Sequence, residues 1–228
     1  MNNNYIGDDL DLESWQRNWD MNYERGYDRK LGFVFTGEPQ PESWYFQKYL
    51  FPYWRTLKEE DDVLEIGCGN GGFASTVYHK VKSFTGTDIS KVAIEHANND
   101  YKTVSNVSFI PTTDILSLNK KFDLIYSVTV FQHLPRAYTE KYINDSRQLL
   151  KPGGRVFFQF LSGSQNKNNA HLSVRTIDQK ENIEICEPSI GHSEEEIRSL
   201  FKEYKDFNLI RYDFHEKKLY WWFMVIAG

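Results

Sequence analysis

One short segment of the chain, Val63-Leu-Glu-Ile-Gly-Cys-Gly-Asn-Gly-Gly72, has a strand-like apolar run followed directly by a glycine cluster. Glycines between a strand and a helix let the backbone approach a ligand and leave helix N–H groups free to bind it. The spacing of Gly67, Gly69 and Gly72 also satisfies the Gly-x-Gly-x-x-Gly pattern of dinucleotide sites. Asp88 ends the next predicted strand, where a carboxylate can accept hydrogen bonds from ribose hydroxyls. The segment therefore predicts a site for an adenosine-containing cofactor.

The chain after residue 58 alternates apolar strands with helical patterns, which is typical of a parallel sheet with helices on both faces. The predicted strands are 63–66, 83–88, 107–110, 122–130 and 155–161, and the predicted helices are 72–81, 91–99 and 138–150. Ser193-Glu-Glu-Glu196 is a capping box and predicts one more helix after the insert. Two final strands, 208–214 and 219–226, are joined by a link so short that the pair must be antiparallel. The sequence predicts an α/β fold, a Rossmann-like seven-stranded sheet whose last strand is antiparallel.

Two segments stand outside this alternation. Residues 1–58 are rich in aromatic side chains, and Trp15, Trp19, Tyr23 and Tyr27 recur every fourth residue, as on one helix face. We expect an N-terminal helical cap that packs on the main domain, residues 59–228, or closes as a lid over a ligand. Residues 162–192 are polar and are predicted to form a loop-like insert on the substrate side.

The composition is that of a globular protein, with 228 residues, 40% hydrophobic and 26% charged. A net charge of −5 argues against a large nucleic-acid footprint. No signal-peptide pattern opens the chain, and the longest apolar run, 220–227, is far shorter than a membrane helix. Cys68 and Cys186 form no disulfide framework or zinc motif. We expect a cytoplasmic protein with a small-molecule partner, without a metal and without a nucleic-acid or membrane partner.

The glycine segment Glu65-x-Gly67-x-Gly69-x-Gly71 resembles the first motif of the class I S-adenosylmethionine-dependent methyltransferases. Further similarities follow in the family's order and together extend over residues 59–228. They are Asp88, Thr113-Asp114-Ile115, the segment from Phe122 to Pro135, Leu149-Leu-Lys-Pro-Gly-Gly154 and the terminal hairpin. The resemblance implies S-adenosylmethionine as the cofactor.

The resemblance also implies which residues contact this cofactor. The residues implied are Glu65, Gly67, Gly69 and Gly71 for the methionine portion, Asp88 for the ribose, Asp114 for the adenine amino group, Ile89 and Ile115 for the adenine ring, and Ser127 for backbone contacts near the cofactor's amino group. The segment Leu12-Glu-Ser-Trp15-Gln-Arg-Asn-Trp19 is similar to the lid helix of thiopurine and related small-molecule methyltransferases. This local likeness adds Trp19 to the predicted cofactor contacts.

Three histidines are candidates for the catalytic side of the site. A hydroxyl or ammonium acceptor needs a base, and histidine is the usual choice. His133 follows the fourth strand at the carboxyl edge, where open α/β sheets bind their ligands. His171 and His192 lie in or beside the insert that could cover the same edge. We expect one of the three to act as a base or to contact the acceptor.

Two other functions remain open on sequence grounds. An NAD(P)-dependent oxidoreductase would share the glycine pattern. The chain also contains Tyr78-x-x-x-Lys82, which matches a dehydrogenase Tyr/Lys pair. This pair is predicted on the helix directly after the glycine loop, where it would point along the wrong face for catalysis. A non-catalytic binding or scaffold protein would keep the fold, but the intact glycines and acids argue against it. The motifs of adenine-N6, cytosine-C5 and metal-dependent catechol methyltransferases do not occur. The predicted function is therefore metal-independent methyl transfer to a small molecule, with O favoured over N or S.

Overall fold

Nine strands and five α-helices occur in the parts of the chain that the computed structural model describes, residues 12–26, 57–162, 170–178, 183–213 and 221–228. The strands are β1 (Asp62–Ile66), β2 (Ser83–Asp88), β3 (Val107–Pro111), β4 (Phe122–Ser127), β5 (Leu150–Leu161), β6 (Ala170–Asp178), β7 (Ile183–Ile190), β8 (Phe207–Asp213) and β9 (Trp221–Ala227). The helices are α1 (Leu12–Glu24), α2 (Ala74–Val77), α3 (Lys91–Asp100), α4 (Arg136–Leu149) and α5 (Glu194–Leu200).

Seven of the strands form one sheet in the order β3-β2-β1-β4-β5-β9-β8. The first five are parallel, and β9 runs antiparallel to both β5 and β8. The predicted Rossmann-like sheet with a reversed last strand is confirmed. The strand order changes direction between β1 and β4, and in open α/β sheets ligands bind beyond the carboxyl ends of the strands at such a point.

The core lies on both faces of this sheet. Phe122 and Ile125 of β4 belong to one buried cluster, and Leu124 and Tyr126 of the same strand belong to the other. A central parallel strand is expected to be apolar on both sides because helices cover both of its faces. The rigid sheet thereby fixes the positions of the loops that follow β1, β2, β4 and β5.

Helix α1 packs across the carboxyl edge of the sheet. Trp15 and Tyr23 are buried, which places the predicted aromatic stripe against the main domain. Asp20 Oδ1 accepts hydrogen bonds from Ser90 Oγ at 2.7 Å and from Val92 N at 3.2 Å, at the start of α3. Tyr27 and most of the predicted cap lie outside the described residues, so the domain boundary at residue 58 stays a prediction.

Three predicted elements differ from the structure. The insert 162–192, predicted to be loop-like, contains the antiparallel pair β6 and β7. Its apolar residues alternate with polar ones around 172–174 and 183–185, which is the strand period that the polar composition obscured. The helix predicted over 72–81 is the single turn α2 followed by a 3-10 turn, because Ser75 and Thr76 hydroxyls bond back to nearby carbonyls. The strand predicted to reach residue 130 ends at Ser127.

Candidate active site

The glycine loop connects β1 to α2 and follows a path that other residues disfavour. Gly67, Gly69 and Gly71 have φ angles of +72°, +54° and +82°, in the left-handed region that favours glycine. Neighbouring side chains also fill the space where a side chain would be. A Cβ at Gly67 would lie 2.2 Å from Val130 Cγ2, and a Cβ at Gly69 would lie 2.3 Å from the Tyr23 hydroxyl oxygen. The loop therefore requires glycine for both conformational and steric reasons.

Asp88, at the end of β2, joins the glycine loop to the neighbouring strand. Its Oδ2 accepts a hydrogen bond from the Gly69 N–H at 2.8 Å, and its Oδ1 accepts one from the Ser90 N–H at 2.9 Å. Burial raises the pKa of Asp88, although the hydrogen bonds that it accepts from backbone N–H groups act in the opposite direction. The carboxyl group thus lies directly beside the loop backbone, where the sequence predicts a ribose-binding acid.

Glu65, at the end of β1, is a buried carboxyl group beneath the loop. Its Oε2 has no hydrogen-bond partner among the described residues. Burial raises the pKa of Glu65 to about 8, and the charge of Asp88 adds to the increase. A side-chain hydrogen bond with Tyr126 acts in the opposite direction. Buried polar atoms without a partner are uncommon in native proteins, so this oxygen is a candidate for contact with a bound group.

The other predicted cofactor residues differ in exposure. Ser127 is buried, and its Oγ donates to the Ile66 carbonyl at 2.9 Å, which joins the ends of β4 and β1. Ile89 is partly buried and Ile115 is fully buried. The Asp114 side chain is 62% exposed, and its Oδ1 lies 3.8 Å from Lys141 Nζ. Because Ile115 is fully buried, it has no open face for an adenine ring in this conformation. The roles of all these residues stay predictions.

The cap meets the end of β4 through an aromatic contact. The rings of Trp19 and His133 have centroids 5.3 Å apart and meet edge-on at 69°. His133 is buried in a 3-10 turn, Phe131–His133, and its backbone N–H donates to the Val130 carbonyl at 2.7 Å. Pro135, not His133, holds the N-cap position of α4. The structure thus brings His133 together with the cap.

The two histidines of the insert are placed differently. His192 follows β7, and its backbone N–H donates to the Leu161 carbonyl at the end of β5. Burial lowers the pKa of His192 to about 4, so the ring is neutral near pH 7. Neither ring nitrogen of His192 has a hydrogen-bond partner within the described part of the chain. His171 lies in β6 opposite Ser189, and its side chain is outside the described residues.

Two residues that the sequence did not single out fix the loop after β4. Thr129 has a φ of +60°, and its N–H donates to Gln159 Oε1 at 2.8 Å. A positive φ is a genuine outlier for a β-branched residue. The signal was invisible in the sequence because Gln159 lies on β5, 30 positions further along the chain. The sequence likewise did not single out Asp20, and it indicated Tyr23 only as a member of the aromatic stripe.

Metal and membrane features are absent from the described residues. Within them, no group of three or more histidine, cysteine, aspartate or glutamate side chains could hold a metal ion. The helices in the same ranges are all too short or too polar to cross a membrane.

Residues 45–224 match the protein family described as a methyltransferase domain. The chain belongs to this family. The class predicted from the glycine loop and the motifs that follow it, an S-adenosylmethionine-dependent methyltransferase of class I, is confirmed.

Curated relatives of this chain include proteins named for different acceptors. A ubiquinone biosynthesis O-methyltransferase of Coxiella burnetii is 31% identical over 111 residues, 47% of this chain and 46% of the relative. A demethylmenaquinone methyltransferase of Tropheryma whipplei is 31% identical over 97 residues, 42% of this chain and 40% of the relative. A tRNA U34 carboxymethyltransferase of Nautilia profundicola is 31% identical over 134 residues, 55% of this chain and 44% of the relative. The chain thus matches less than half the length of each of these relatives.

Solved structures share the fold over almost the whole chain. The DhpI–SAH complex has a TM-score of 0.64 at 16% identity and covers 95% of this chain and 96% of its own. The magnesium protoporphyrin IX methyltransferase ChlM of Synechocystis PCC 6803, with bound SAM, has a TM-score of 0.59 at 16% identity and covers 99% of both chains. At this level of identity the similarity establishes the fold of the chain alone.

Proposed function

We propose that this protein transfers a methyl group from S-adenosylmethionine to a small-molecule acceptor, with oxygen as the favoured acceptor atom. The observation that carries the proposal is the hydrogen bond between Asp88 and the Gly69 N–H, at the point where the strand order reverses. It places a carboxyl group against three glycines of positive φ, where a ligand can approach the backbone closely. This is the arrangement that the family resemblance implies for the cofactor.

The residues present fit the charges of S-adenosylmethionine, which carries an ammonium group and a sulfonium. Glu65 offers a buried carboxyl oxygen without a described partner. Its carboxyl group is protonated near pH 7 in the ligand-free protein, so a positively charged portion of the cofactor that binds there would displace this proton. We assign Glu65 and the three loop glycines to the methionine portion and Asp88 to the ribose. The residues assigned to the adenine and to the borders of the site are Asp114, Ile89, Ser127 and Trp19. Ile115 is fully buried and is not assigned a contact. When bound, the cofactor supplies an activated methyl group.

The protein's own task in such a transfer is to align the acceptor and to exclude water. Correct alignment can contribute roughly 7–11 kcal/mol to lowering the barrier. His133 lies at the carboxyl end of β4, beside Trp19 of the cap, and is the residue that we assign to remove a proton from a hydroxyl acceptor. His192 is neutral near pH 7 and is suited to hydrogen-bond an acceptor group rather than to carry charge. No role is assigned to the His171 side chain.

The choice of a small molecule is supported by the names of two relatives, the ubiquinone biosynthesis O-methyltransferase and the demethylmenaquinone methyltransferase. The first name also supports transfer to oxygen. The tRNA-modifying relative makes tRNA a required arm of any acceptor screen. The net charge of −5 favours the small molecule over the nucleic acid. A cytoplasmic location and the absence of a metal or membrane partner belong to the same proposal.

A thermal-shift experiment with S-adenosylmethionine, S-adenosylhomocysteine, NAD and NADP tests the cofactor. A ligand at 100 times its Kd stabilises the folded state by about 2.7 kcal/mol, which is roughly 5–11 °C for a chain of this size. A shift with the two sulfur compounds alone supports the proposal. A shift with a nicotinamide cofactor alone would indicate an oxidoreductase, and no shift at all would favour a scaffold protein. Methyl-labelled S-adenosylmethionine with phenols, amines, carboxylic acids and tRNA then identifies the acceptor.

A further inference from the structure

Thr129 has a backbone conformation that its own side chain opposes. Its φ is +60°, in a region that glycine, asparagine and aspartate tolerate and that β-branched residues avoid. The residue is exposed, and its hydroxyl bonds the carbonyl of the preceding Val128 at 2.7 Å. That local bond does not explain the conformation, so a group from elsewhere in the fold must hold the residue in place.

The group that holds it is the side chain of Gln159. This side chain is 1% exposed on β5, the strand that pairs with β4, and its Oε1 accepts the Thr129 N–H at 2.8 Å. Because β5 is a central strand, the amide oxygen has a fixed position at the carboxyl edge of the sheet. The hydrogen bond turns the chain sharply, two residues after β4 ends.

The turn at Thr129 determines where the next residues lie. Val130 comes to pack on Gly67, so closely that a Cβ at Gly67 would lie 2.2 Å from its Cγ2. The Val130 carbonyl accepts the His133 N–H at 2.7 Å, and His133 in turn meets Trp19 of the cap. One hydrogen bond thus fixes a loop that contacts the glycine loop on one side and carries His133, the candidate base, on the other.

We propose that Gln159 is a positioning residue for methyl transfer. By accepting the Thr129 N–H, it holds residue 129 at a positive φ, which seats Val130 against the glycine loop and sets His133 beside the cap. The inference rests on the proposed function, because only in a methyltransferase would this loop form the wall between the cofactor site and the acceptor site. Gln159 acts through the loop and is not assigned a ligand contact.

The test combines Gln159→Leu with Thr129→Gly, because glycine adopts a positive φ without help. Isothermal titration of S-adenosylhomocysteine is the readout for both single variants and for the double variant. We expect Gln159→Leu to weaken binding by about tenfold, the scale of one hydrogen bond together with the left-handed penalty. Thr129→Gly in the Gln159→Leu background should recover most of that loss.

A purely structural role for Gln159 predicts a different result. If its importance were only core packing, Thr129→Gly would not restore binding in the Gln159→Leu background. Wild-type affinity in Gln159→Leu, or no recovery in the double variant, would overturn the proposal.

Hydrogen exchange of residues 128–134 without ligand separates this inference from the proposed function. We expect faster exchange in Gln159→Leu and a return toward the wild-type rate in the double variant. If the wild type does not bind S-adenosylhomocysteine, the proposed function fails, while the exchange rates still decide whether Gln159 holds the loop. Unchanged exchange in Gln159→Leu would contradict the inference by itself.

Discussion

The indole of Trp19 meets the imidazole of His133 edge-on, with 5.3 Å between the ring centroids. Trp19 belongs to α1 of the cap, and His133 belongs to the turn that follows the central strand β4. Each ring therefore limits where the other can move. The contact joins α1 to the turn that carries the candidate base.

Removal of the His133 side chain should affect turnover far more than cofactor binding. A general base contributes about 10²–10⁴-fold to rate, so we expect His133→Asn to lower kcat by at least about a hundredfold with a hydroxyl acceptor. The affinity for S-adenosylhomocysteine should change only a few fold. His79→Asn, at an exposed position in the 3-10 turn after α2, is the matched control and should keep the wild-type kcat. A kcat within about tenfold of wild type in His133→Asn would exclude the base role.

Gly69→Ala should abolish cofactor binding through a clash as well as through backbone strain. The new Cβ would meet the Tyr23 hydroxyl at 2.3 Å, and φ at this position is +54°. Gly153 provides a matched control because its φ is +76° but no atom lies within 4 Å of the position of a Cβ. Gly153→Ala should therefore cost only the left-handed penalty, about 1–2 kcal/mol of stability, and leave binding intact. Equal binding by the two variants in calorimetry would contradict the role of the loop.

Glu65 should make the ligand-free protein less stable as the pH rises. Its pKa is raised from 4.5 to about 8 in the folded state, so the folded protein keeps a proton that the unfolded chain releases. This contribution to stability is fully present below about pH 4.5 and is lost as the pH rises through about 8.

Glu65→Gln isolates this effect, because the glutamine side chain is neutral at every pH. The Tm of the variant minus that of the wild type should increase between pH 5 and pH 9, measured without cofactor. Neighbouring titratable groups such as Asp88 and Cys68 are present in both proteins and largely cancel in the difference. A constant difference across this range would show that Glu65 is ionised throughout.

Asp20 should hold the cap helix on the main domain. It accepts hydrogen bonds from Ser90 Oγ and Val92 N at the start of α3, and its removal leaves these donors without that acceptor. We expect Asp20→Ala to lower the free energy of unfolding by about 1–2 kcal/mol and to accelerate hydrogen exchange in α1. Glu13→Ala, at an exposed position of the same helix, is the control and should change neither. Slow exchange in α1 of Asp20→Ala would show that other contacts hold the cap.

Local signals allowed most of the sheet to be predicted from the sequence. The second strand, Ser83–Asp88, has the bounds that were predicted. The capping box before α5 also forms, with Ser193 Oγ accepting the Glu196 N–H and the Glu196 carboxylate accepting the Ser193 N–H. In each case, the residues that determine the element are neighbours in the chain, so their pattern carries the information.

The parts that sequence reasoning missed depend on contacts between distant residues. The N–H of Thr129, a residue with a positive φ, donates to the side-chain oxygen of Gln159 on β5. Asp20 of α1 accepts a hydrogen bond from Ser90 at the start of α3. The glycine loop was recognised, but the Tyr23 hydroxyl above Gly69 is a tertiary contact with no motif. Strands β6 and β7 were missed because the polar composition of the insert obscured the short alternating stretches around 172–174 and 183–185. Such features follow from the assembled fold rather than from any local pattern.

The most direct test is a calorimetric titration of S-adenosylhomocysteine into the wild type, Asp88→Asn and Asp88→Ala. Asp88 joins the loop to β2 and is the residue assigned to the ribose. We expect the wild type to bind one equivalent, Asp88→Asn to bind more weakly, and Asp88→Ala to lose at least about tenfold in affinity, the scale of one or two hydrogen bonds to a charged group. Failure of the wild type to bind, or equal affinity in all three proteins, would contradict the assignment of this loop as the cofactor site of a methyltransferase.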